Sequence, residues 1–291
     1  MKHFRPPGTL CVATAGILWG IIGLFVRALG DAQLTSMDIV AARAIVAAGL
    51  LFVLLAIFDR KSLHLRLRDV WCFLGTGIGS IVFFNYCYFS AVQMMSLASA
   101  AVLLYTAPAF VMVLTRVFFG EAFTRRKLAS LLLTFLGCVL VTGVVGSSTP
   151  LSFAGILFGL GSGLGYGLYT IFGKFAMARG YGAPGITFYT FLVAAVAASA
   201  MNGTAHIAAA AQSLALPYML GLGALSTVLP FLLYTLGLRT LSGSRASILA
   251  SIEPVTAAIL GIALYGETMQ PMTLAGIALV LVGIGIGSKG K

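Results

Sequence analysis

The sequence is poor in charged residues, and acidic residues are the scarcest of them. Only 9% of its 291 residues are charged, with 7 Asp and Glu against 18 Lys and Arg, whereas 60% are hydrophobic. The mean hydropathy is correspondingly high, at +1.05. Soluble domains carry about 25% charged residues, so this composition excludes an ordinary soluble domain and predicts an integral membrane protein.

Cysteine and histidine are also few, and their placement argues against several kinds of site. The four cysteines lie in apolar segments with no Cys-x-x-Cys pair, so neither a disulfide nor a zinc site is indicated. His3, His64 and His206 fall in the tail or in loops. Paired aspartates, a His-Glu-x-x-His helix and a buried Ser-His pair are all missing. No cofactor is predicted, and an intramembrane enzyme is the less favoured alternative.

The excess of basic residues does not indicate a nucleic-acid partner. The net charge is +11, but Lys and Arg occur in short runs between apolar segments, where they act as topology signals. With the N-terminus inside, Arg27 is left outside, and the cytoplasmic side receives Lys2, Arg5, Arg60, Lys61, Arg66, Arg68, Arg125, Arg126, Lys127, Lys174, Arg179, Arg239, Arg245, Lys289 and Lys291. We therefore expect both termini to be cytoplasmic.

Apolar stretches of helix length account for nearly the whole sequence. A spanning helix takes about 20 mainly apolar residues. The stretches that qualify are 10–29, 37–58, 69–92, 95–119, 124–144, 152–177, 184–201, 214–238, 244–265 and 271–287. None alternates with period two, which excludes barrel strands. The prediction is an all-α multi-pass membrane protein with ten transmembrane helices.

The two halves of the sequence resemble each other. Residues 98–137 recur without a gap as residues 244–283, 146 positions later. The clearest matches are a proline, Pro108 with Pro254, and a Gly-Glu pair that begins at Gly120 and again at Gly266. Such a register is not expected by chance even in an apolar chain, so we interpret it as a duplication.

An inverted arrangement of the two copies follows from the number of segments. Each half has five, so the second copy must cross the membrane in the opposite direction, and Arg125-Arg126-Lys127 correspond to the uncharged Pro271-Met272-Thr273. We predict two inverted repeats, 1–145 and 146–291, around a central cavity, as in secondary transporters. A channel would need a ring of carbonyls or charges from several subunits, so the duplicated single chain favours a transporter, which we expect to be a monomer.

The repeat and its motifs resemble the EamA-type branch of the drug/metabolite transporter superfamily. The resemblance covers essentially the whole chain and is carried by Trp19-Gly20 in the first segment and, in each half, by a mid-helix proline followed by Gly-Glu. Within that superfamily the chain is most similar to the YddG-type exporters of aromatic and other amino acids. The resemblance implies alternating access and export of small metabolites across the bacterial inner membrane. Drugs, nucleosides or sugar phosphates remain alternative substrates.

Two ionisable residues lie inside predicted segments and are candidates for function. Glu253 is the only acidic residue well inside a segment, at a depth of about 13 Å for a rise of 1.5 Å per residue. An ionisable side chain at that depth indicates a functional site. The alternative is a structural ion pair between Glu253 and Arg43.

Aromatic and proline residues complete the predicted site. Aromatic walls suit an amphipathic ligand, although such residues also pack or contact lipid. Tyr88 and Tyr234 are matched by the repeat and are predicted at opposite mouths of the cavity, as gates or as interfacial aromatic residues, with Pro108 and Pro254 as hinges. The predicted cavity residues, besides Glu253, are Trp19, Tyr166, Tyr105, Tyr169 and Asn85.

Overall fold

The fold is a bundle of helices. The computed structural model describes residues 7–144, 152–266, 268 and 270–288, and all regular structure within these ranges is helical. The predicted all-α class is therefore confirmed.

Ten long helices coincide with the ten predicted segments. They are α1 Gly8–Asp31, α2 Ser36–Phe58, α3 Leu67–Met94, α4 Leu97–Phe119, α5 Arg125–Val141, α6 Phe153–Ala178, α7 Ala183–Asn202, α8 Leu216–Leu238, α9 Gly243–Tyr265 and α10 Pro271–Ser288. A short helix, Ala205–Ala211, lies between α7 and α8. Within the described ranges, nine of the long helices are long and apolar enough to span a bilayer. The exception is α5, which has 17 residues.

Three of these helices are interrupted, two of them next to a proline. Helix α4 divides into Leu97–Leu104 and Ala107–Phe119, and α9 divides into Gly243–Ala250 and Glu253–Tyr265. Pro108 and Pro254 are the second residues of the later halves, where the missing N–H and the bulk of the ring disfavour continuation from the preceding turn. Helix α1 is likewise interrupted at Ile21.

Two further helices widen into π-helical turns. These turns are Gly75–Val82 in α3 and Ala224–Val228 in α8. The hydroxyls of Ser80 and Ser226, 146 positions apart, are both buried without a hydrogen-bond partner. Such turns often occur at functional sites, and Ser80 lies on the cavity wall described below.

Glycines allow α5 and α10 to pack closely against each other. A Cβ added to Gly137 or to Gly276 would lie 2.7 Å from the carbonyl oxygen of the other residue. In lipid, helices associate mainly through such close packing, because the hydrophobic effect does not hold them together. This pairing of the last helix of each half therefore requires small residues.

The Gly276→Val variant is expected to destabilise the protein, by roughly 1–3 kcal/mol in the range found for overpacked cores. The added side chain must push α5 and α10 apart. Gly285→Val is the matched control, because Gly285 is on the same helix and has no atom within 4 Å of its added Cβ. Thermal unfolding in detergent measures the difference, and equal melting temperatures for the two variants would contradict the close packing.

The ends of the bundle differ in charge. At one end Arg179, which follows α6, pairs with Asp69 of α3 at 2.8 Å, and Arg245 of α9 donates to the carbonyl oxygen of Ser288 at 2.6 Å. We call this the basic end, because α3, α5 and α9 begin there close to Arg66, Arg68, Arg125, Arg126, Lys127 and Arg245. Gly8 also lies there, since its Cβ position is 3.1 Å from the carbonyl oxygen of Gly237, near the end of α8.

Candidate binding cavity

A cavity lies inside the bundle. Its walls are mostly aromatic and aliphatic, with two charged side chains. The lining residues are Trp19, Ile22, Arg43, Ser80, Ile81, Phe84, Tyr166, Tyr169, Thr170, Phe231, Tyr234 and Glu253. They come from α1, α2 and α3 in the first half of the chain and from α6, α8 and α9 in the second half.

Trp19 of α1 is the centre of the aromatic wall. Its ring lies edge-on to Tyr166 and Phe231, with centroids 6.0 Å and 5.1 Å away. The ring of Tyr234 is 5.3 Å away, and that of Phe84 packs edge-on against Tyr166 at 5.6 Å. Such geometry suits aromatic quadrupoles and makes a rigid apolar surface. The structure thus brings Trp19 and Tyr166 together as lining residues, and Tyr169 lines the same cavity.

Arg43 and Glu253 line this cavity without pairing directly. Within the described ranges neither residue takes part in an ion pair of 4.0 Å or less. The hydroxyl of Tyr166 donates instead to Oε2 of Glu253 at 3.1 Å. Arg43 is only 6% exposed, and its Nε has no hydrogen-bond partner. The predicted ion pair is therefore absent as a contact.

A wider vestibule opens at the end opposite the basic end. Tyr88, Tyr105 and Pro254 line it, together with residues at the start of α4, at the end of α5 and in the turn before α10. A small pocket lined by Tyr105, Pro108, Tyr166 and Glu253 lies between the vestibule and the cavity. Glu253 lines the cavity and this pocket, and Tyr105 lines this pocket and the vestibule, so the pocket adjoins both compartments.

Two predicted cavity residues, Tyr105 and Asn85, do not line the cavity. Tyr105 lines the vestibule and the small pocket instead, and Asn85 lines none of these spaces. Its side-chain amide donates to the carbonyl oxygen of Ile81, one turn earlier in α3, at 2.7 Å. It is buried and is not among the residues that line the cavity. A helical asparagine often satisfies itself in this way, and the apolar sequence around it does not signal the choice.

The cavity is closed toward the basic end by side-chain hydrogen bonds between α6 and α8. The hydroxyls of Thr170 and Tyr234 are 2.8 Å apart, and those of Tyr169 and Thr235 are 2.7 Å apart. Tyr234 is 3% exposed. Of the two predicted gate residues, Tyr234 therefore lies in the closed floor of the cavity, whereas Tyr88 lines the open vestibule.

Glu121 adds a second closure at the basic end. The sequence suggests that Glu121 stabilises the start of the following helix, but in the structure it caps α9, far along the chain. It accepts hydrogen bonds from the Gly243 N–H at 2.8 Å and the Ser244 hydroxyl at 2.7 Å, and Lys174 Nζ lies 2.6 Å from Oε1. We call these four residues the Glu121 cluster. Glu267, its partner in the repeat, lies outside the described residues.

The Glu121 carboxylate is ionised at all ordinary pH values. Burial opposes its ionisation, but hydrogen bonds from Lys174, Ser244 and the Gly243 N–H outweigh burial and lower the pKa of Glu121 to about 2. The negative charge also stabilises the helix N-terminus of α9.

Other lining residues gave no signal in the sequence. Phe84, Phe231 and Thr170 line the cavity, yet aromatic residues occur throughout the apolar segments, including 20 Phe. Among the described residues, no group of His, Cys, Asp and Glu could hold a metal ion. The polar chemistry on the cavity wall is instead that of one guanidinium, one carboxylate and several hydroxyls.

Several known proteins similar to this chain are named as transporters. The model of the EamA-like transporter family matches residues 6–143 and 153–288. An uncharacterized transporter of Archaeoglobus fulgidus is 31% identical over 95% of this chain and 94% of its own length. The uncharacterized transporter YwfM of Bacillus subtilis is 25% identical over 95% of this chain and 92% of its own length.

The fold is also known from a solved crystal structure. That structure superposes with a TM-score of 0.80 and covers 97% of this chain and 96% of its own, at 17% sequence identity. It supports the arrangement of the helices alone. The family match covers nearly all of the sequence in two copies, and the relatives are similar along their full length. The chain therefore belongs to the EamA-like transporter family, a branch of the drug/metabolite transporter superfamily, and is a multi-pass membrane protein.

Proposed function

We propose that this protein is a secondary transporter that exports small metabolites, above all aromatic and other amino acids, by alternating access. One observation carries the proposal: an aromatic cavity with one cation and one anion is closed at the basic end, and a small pocket separates it from an open vestibule at the other end. A site that is closed toward one side, with an open vestibule on the other, resembles one of the two states that alternating access requires.

The inverted repeat is supported by the local structure of the two halves. The two parts of α4, Leu97–Leu104 and Ala107–Phe119, correspond residue by residue to Gly243–Ala250 and Glu253–Tyr265 in α9. Both helices end at a left-handed glycine, with φ of 67° and 66°. We propose that 1–145 and 146–291 are two repeats of five spans each. Helix α5 would be the fifth, because its counterpart α10 packs along it.

The orientation in the membrane is proposed from the basic end. Cytoplasmic loops of membrane proteins carry an excess of Lys and Arg. We therefore assign the basic end to the cytoplasm of a bacterial cell and the vestibule to the outer side of the inner membrane. Gly8 and Ser288 both lie at the basic end, which supports two cytoplasmic termini.

Fusions are expected to report this orientation. Green fluorescent protein joined after Lys291 should fluoresce, and alkaline phosphatase at the same position should be inactive, because the phosphatase folds only outside the cytoplasm. A matched fusion after Ser96, in the turn between α3 and α4, should give the reverse pattern. Phosphatase activity at Lys291 would contradict the proposed orientation.

The proposed substrate class rests on the composition of the cavity. Stacked aromatic rings favour an apolar or aromatic side chain, and the charged residues favour a ligand that is itself polar at one end. One chain supplies the whole wall, so a monomer is sufficient as the transporting unit. The relatives are transporters by name, which favours transport over catalysis.

Substrate counterflow in proteoliposomes tests the proposal. Liposomes loaded with unlabelled substrate should accumulate external labelled substrate when the compound is carried. The panel comprises the twenty amino acids, a nucleoside, a sugar phosphate and a cationic drug, with protein-free liposomes as the control. If only the nucleoside, the sugar phosphate or the drug gives counterflow, that compound class, and not amino acids, is the substrate. An enzyme would give no counterflow, and a channel would give no acceleration by internal substrate.

The two tyrosines proposed as gates should respond to substrate in opposite ways. We expect cysteines at Tyr88 and Tyr234, in a variant without the native cysteines, to change their rates of labelling by a water-soluble maleimide in opposite directions when substrate is added. Tyr88 should become covered as Tyr234 becomes accessible, because one mouth must close before the other opens. If the labelling rates at both positions do not change when substrate is added, both tyrosines belong to the interfacial aromatic belts.

A further inference from the structure

We infer that Arg43 is the residue that binds the carboxylate of the substrate. The inference rests on the proposed function, because it names how the cavity would recognise an amino acid. It requires three things: a buried cation that lacks a partner, access from the cavity, and surroundings that accept a carboxylate but disfavour other ligands.

Arg43 is a buried cation with unused hydrogen-bonding capacity. It is only 6% exposed, and its Nε has no hydrogen-bond partner. Burying a charge without a partner costs several kcal/mol, so such residues normally pair with a carboxylate or coordinate an ion. Within the described ranges no carboxylate lies within 4.0 Å of Arg43. An unpaired guanidinium on a cavity wall is the arrangement expected of a group that binds an anionic ligand.

The one carboxylate on the same wall is already occupied. Glu253 accepts the hydrogen bond of Tyr166 and lines the cavity on the side of the vestibule. Its other oxygen is free to bind a cation, and Glu253 makes no ion pair with Arg43 within 4.0 Å. A ligand that carries a carboxylate and an ammonium group on one carbon would offer the carboxylate to Arg43 and the ammonium group to Glu253.

The guanidinium and the nearby Glu253 carboxylate together favour a carboxylate ligand over a phosphate. Arginine offers a planar fork of donors that binds a carboxylate with two parallel hydrogen bonds. A phosphate would fit the same fork, but its second negative charge would lie in a cavity that also holds the Glu253 carboxylate. Trp19, Phe84 and Phe231 then supply the surface for an apolar side chain. The ligand class is an α-amino acid with an aliphatic or aromatic side chain.

Matched ligands test the carboxylate directly in the unaltered protein. The probes are L-phenylalanine, its amide and phenethylamine. All three keep the ring and the amine, but only L-phenylalanine keeps the carboxylate. We expect the amide and phenethylamine to compete for labelled L-phenylalanine, in binding and in counterflow, about 10- to 100-fold more weakly than L-phenylalanine itself. That factor corresponds to the loss of a charged hydrogen bond.

Variants of Arg43 assign the preference to this residue. In Arg43→Gln the affinity for L-phenylalanine should fall by about 10- to 100-fold, and the affinity for phenethylamine should stay nearly constant, so that the preference disappears. Arg43→Lys keeps the charge without the fork and should retain part of the preference. Arg27→Gln is the control, because Arg27 is also in a membrane helix but lies over the ring of Tyr265 and not in the cavity.

The outcomes separate this inference from the proposed function. Binding of L-phenylalanine without counterflow would contradict the proposed transport function. The role of Arg43 in binding would then be decided by the ligand series. Counterflow in which phenethylamine competes as well as L-phenylalanine, or a carboxylate preference that survives in Arg43→Gln, would overturn the role of Arg43 alone. Absence of any L-phenylalanine binding to the unaltered protein would overturn both. A misfolded Arg43→Gln protein, visible by size-exclusion chromatography, leaves the Lys variant and the ligand series to decide.

Discussion

Glu253→Gln is expected to lower amino-acid transport by roughly 30-fold or more while the protein still folds and reaches the membrane. Losing one charge of a buried recognition site costs on the order of 2–5 kcal/mol. Folding should survive, because Glu253 makes no salt bridge within the described ranges and the amide oxygen of glutamine can still accept from Tyr166. Counterflow in proteoliposomes, with protein amount measured on the same preparation, gives both quantities.

The same variant distinguishes function from structure at Glu253. A proton-coupled mechanism predicts that Glu253→Gln flattens the dependence of transport on pH. A structural ion pair predicts instead that Glu253→Gln and Arg43→Gln each lower expression and that the double variant restores it. Asp59→Asn in the same assay is the control, because it removes an exposed carboxylate outside the cavity that accepts only from Ser62. Normal expression together with unaltered transport at every pH would show that Glu253 has neither the functional nor the structural role.

Glu121→Gln is expected to open the basic end. The carboxylate joins the end of α4 to the start of α9 and to Lys174 of α6, so it ties the proposed repeats together. A cysteine at Ser247, one turn into α9, should then react about tenfold faster or more with an impermeant maleimide added from the basic side, since each charged hydrogen bond contributes about 1.5–3 kcal/mol. Inside-out vesicles present that side if the basic end is cytoplasmic.

The labelling experiment has a matched control and a pH dependence. The background lacks the native cysteines, which are Cys11, Cys72, Cys87 and Cys138. Asp59→Asn removes an exposed carboxylate near the basic end that bonds only Ser62, and it should leave labelling unchanged. Because the pKa of Glu121 is lowered to about 2, its stabilisation is complete above the ordinary value of about 4.3 and is lost only as the pH falls through about 2.

Closure of the basic end should therefore be insensitive to pH between 5 and 8 in the unaltered protein. The maleimide itself reacts faster at high pH, so rates are compared with those of a free thiol at each pH. Equal rates for Glu121→Gln and the unaltered chain would show that the Glu121 cluster does not hold this end closed.

Local features of the structure could be predicted because they depend on neighbouring residues. The helices follow the apolar segments, since a backbone in lipid must satisfy its own hydrogen bonds. The interruptions at Pro108 and Pro254 follow from the ring and the missing N–H of proline. The left-handed turns at Gly120 and Gly266 follow from the freedom of glycine at positive φ. Each of these effects acts within about one helical turn.

The choice of cavity residues depended on how the helices are rotated. A soluble helix shows its inner face as an apolar stripe, but a membrane helix is apolar on all sides, so the sequence does not indicate which face points inward. Trp19 and Tyr166 were found because the repeat places them at matching depth. Phe84 and Phe231 had no such mark, and Asn85 was predicted in the cavity but bonds its own helix.

The partners of the charged residues were decided by tertiary structure alone. The sequence determined that Arg43 and Glu253 lie inside membrane segments and that Glu121 follows a helix-ending glycine. It did not determine that Tyr166 occupies Glu253 while Arg43 stays unpaired, or that Glu121 caps α9. A charged side chain in a low-dielectric interior takes whichever partner the packed helices bring within hydrogen-bond distance, and that distance is set by contacts between segments far apart in the chain.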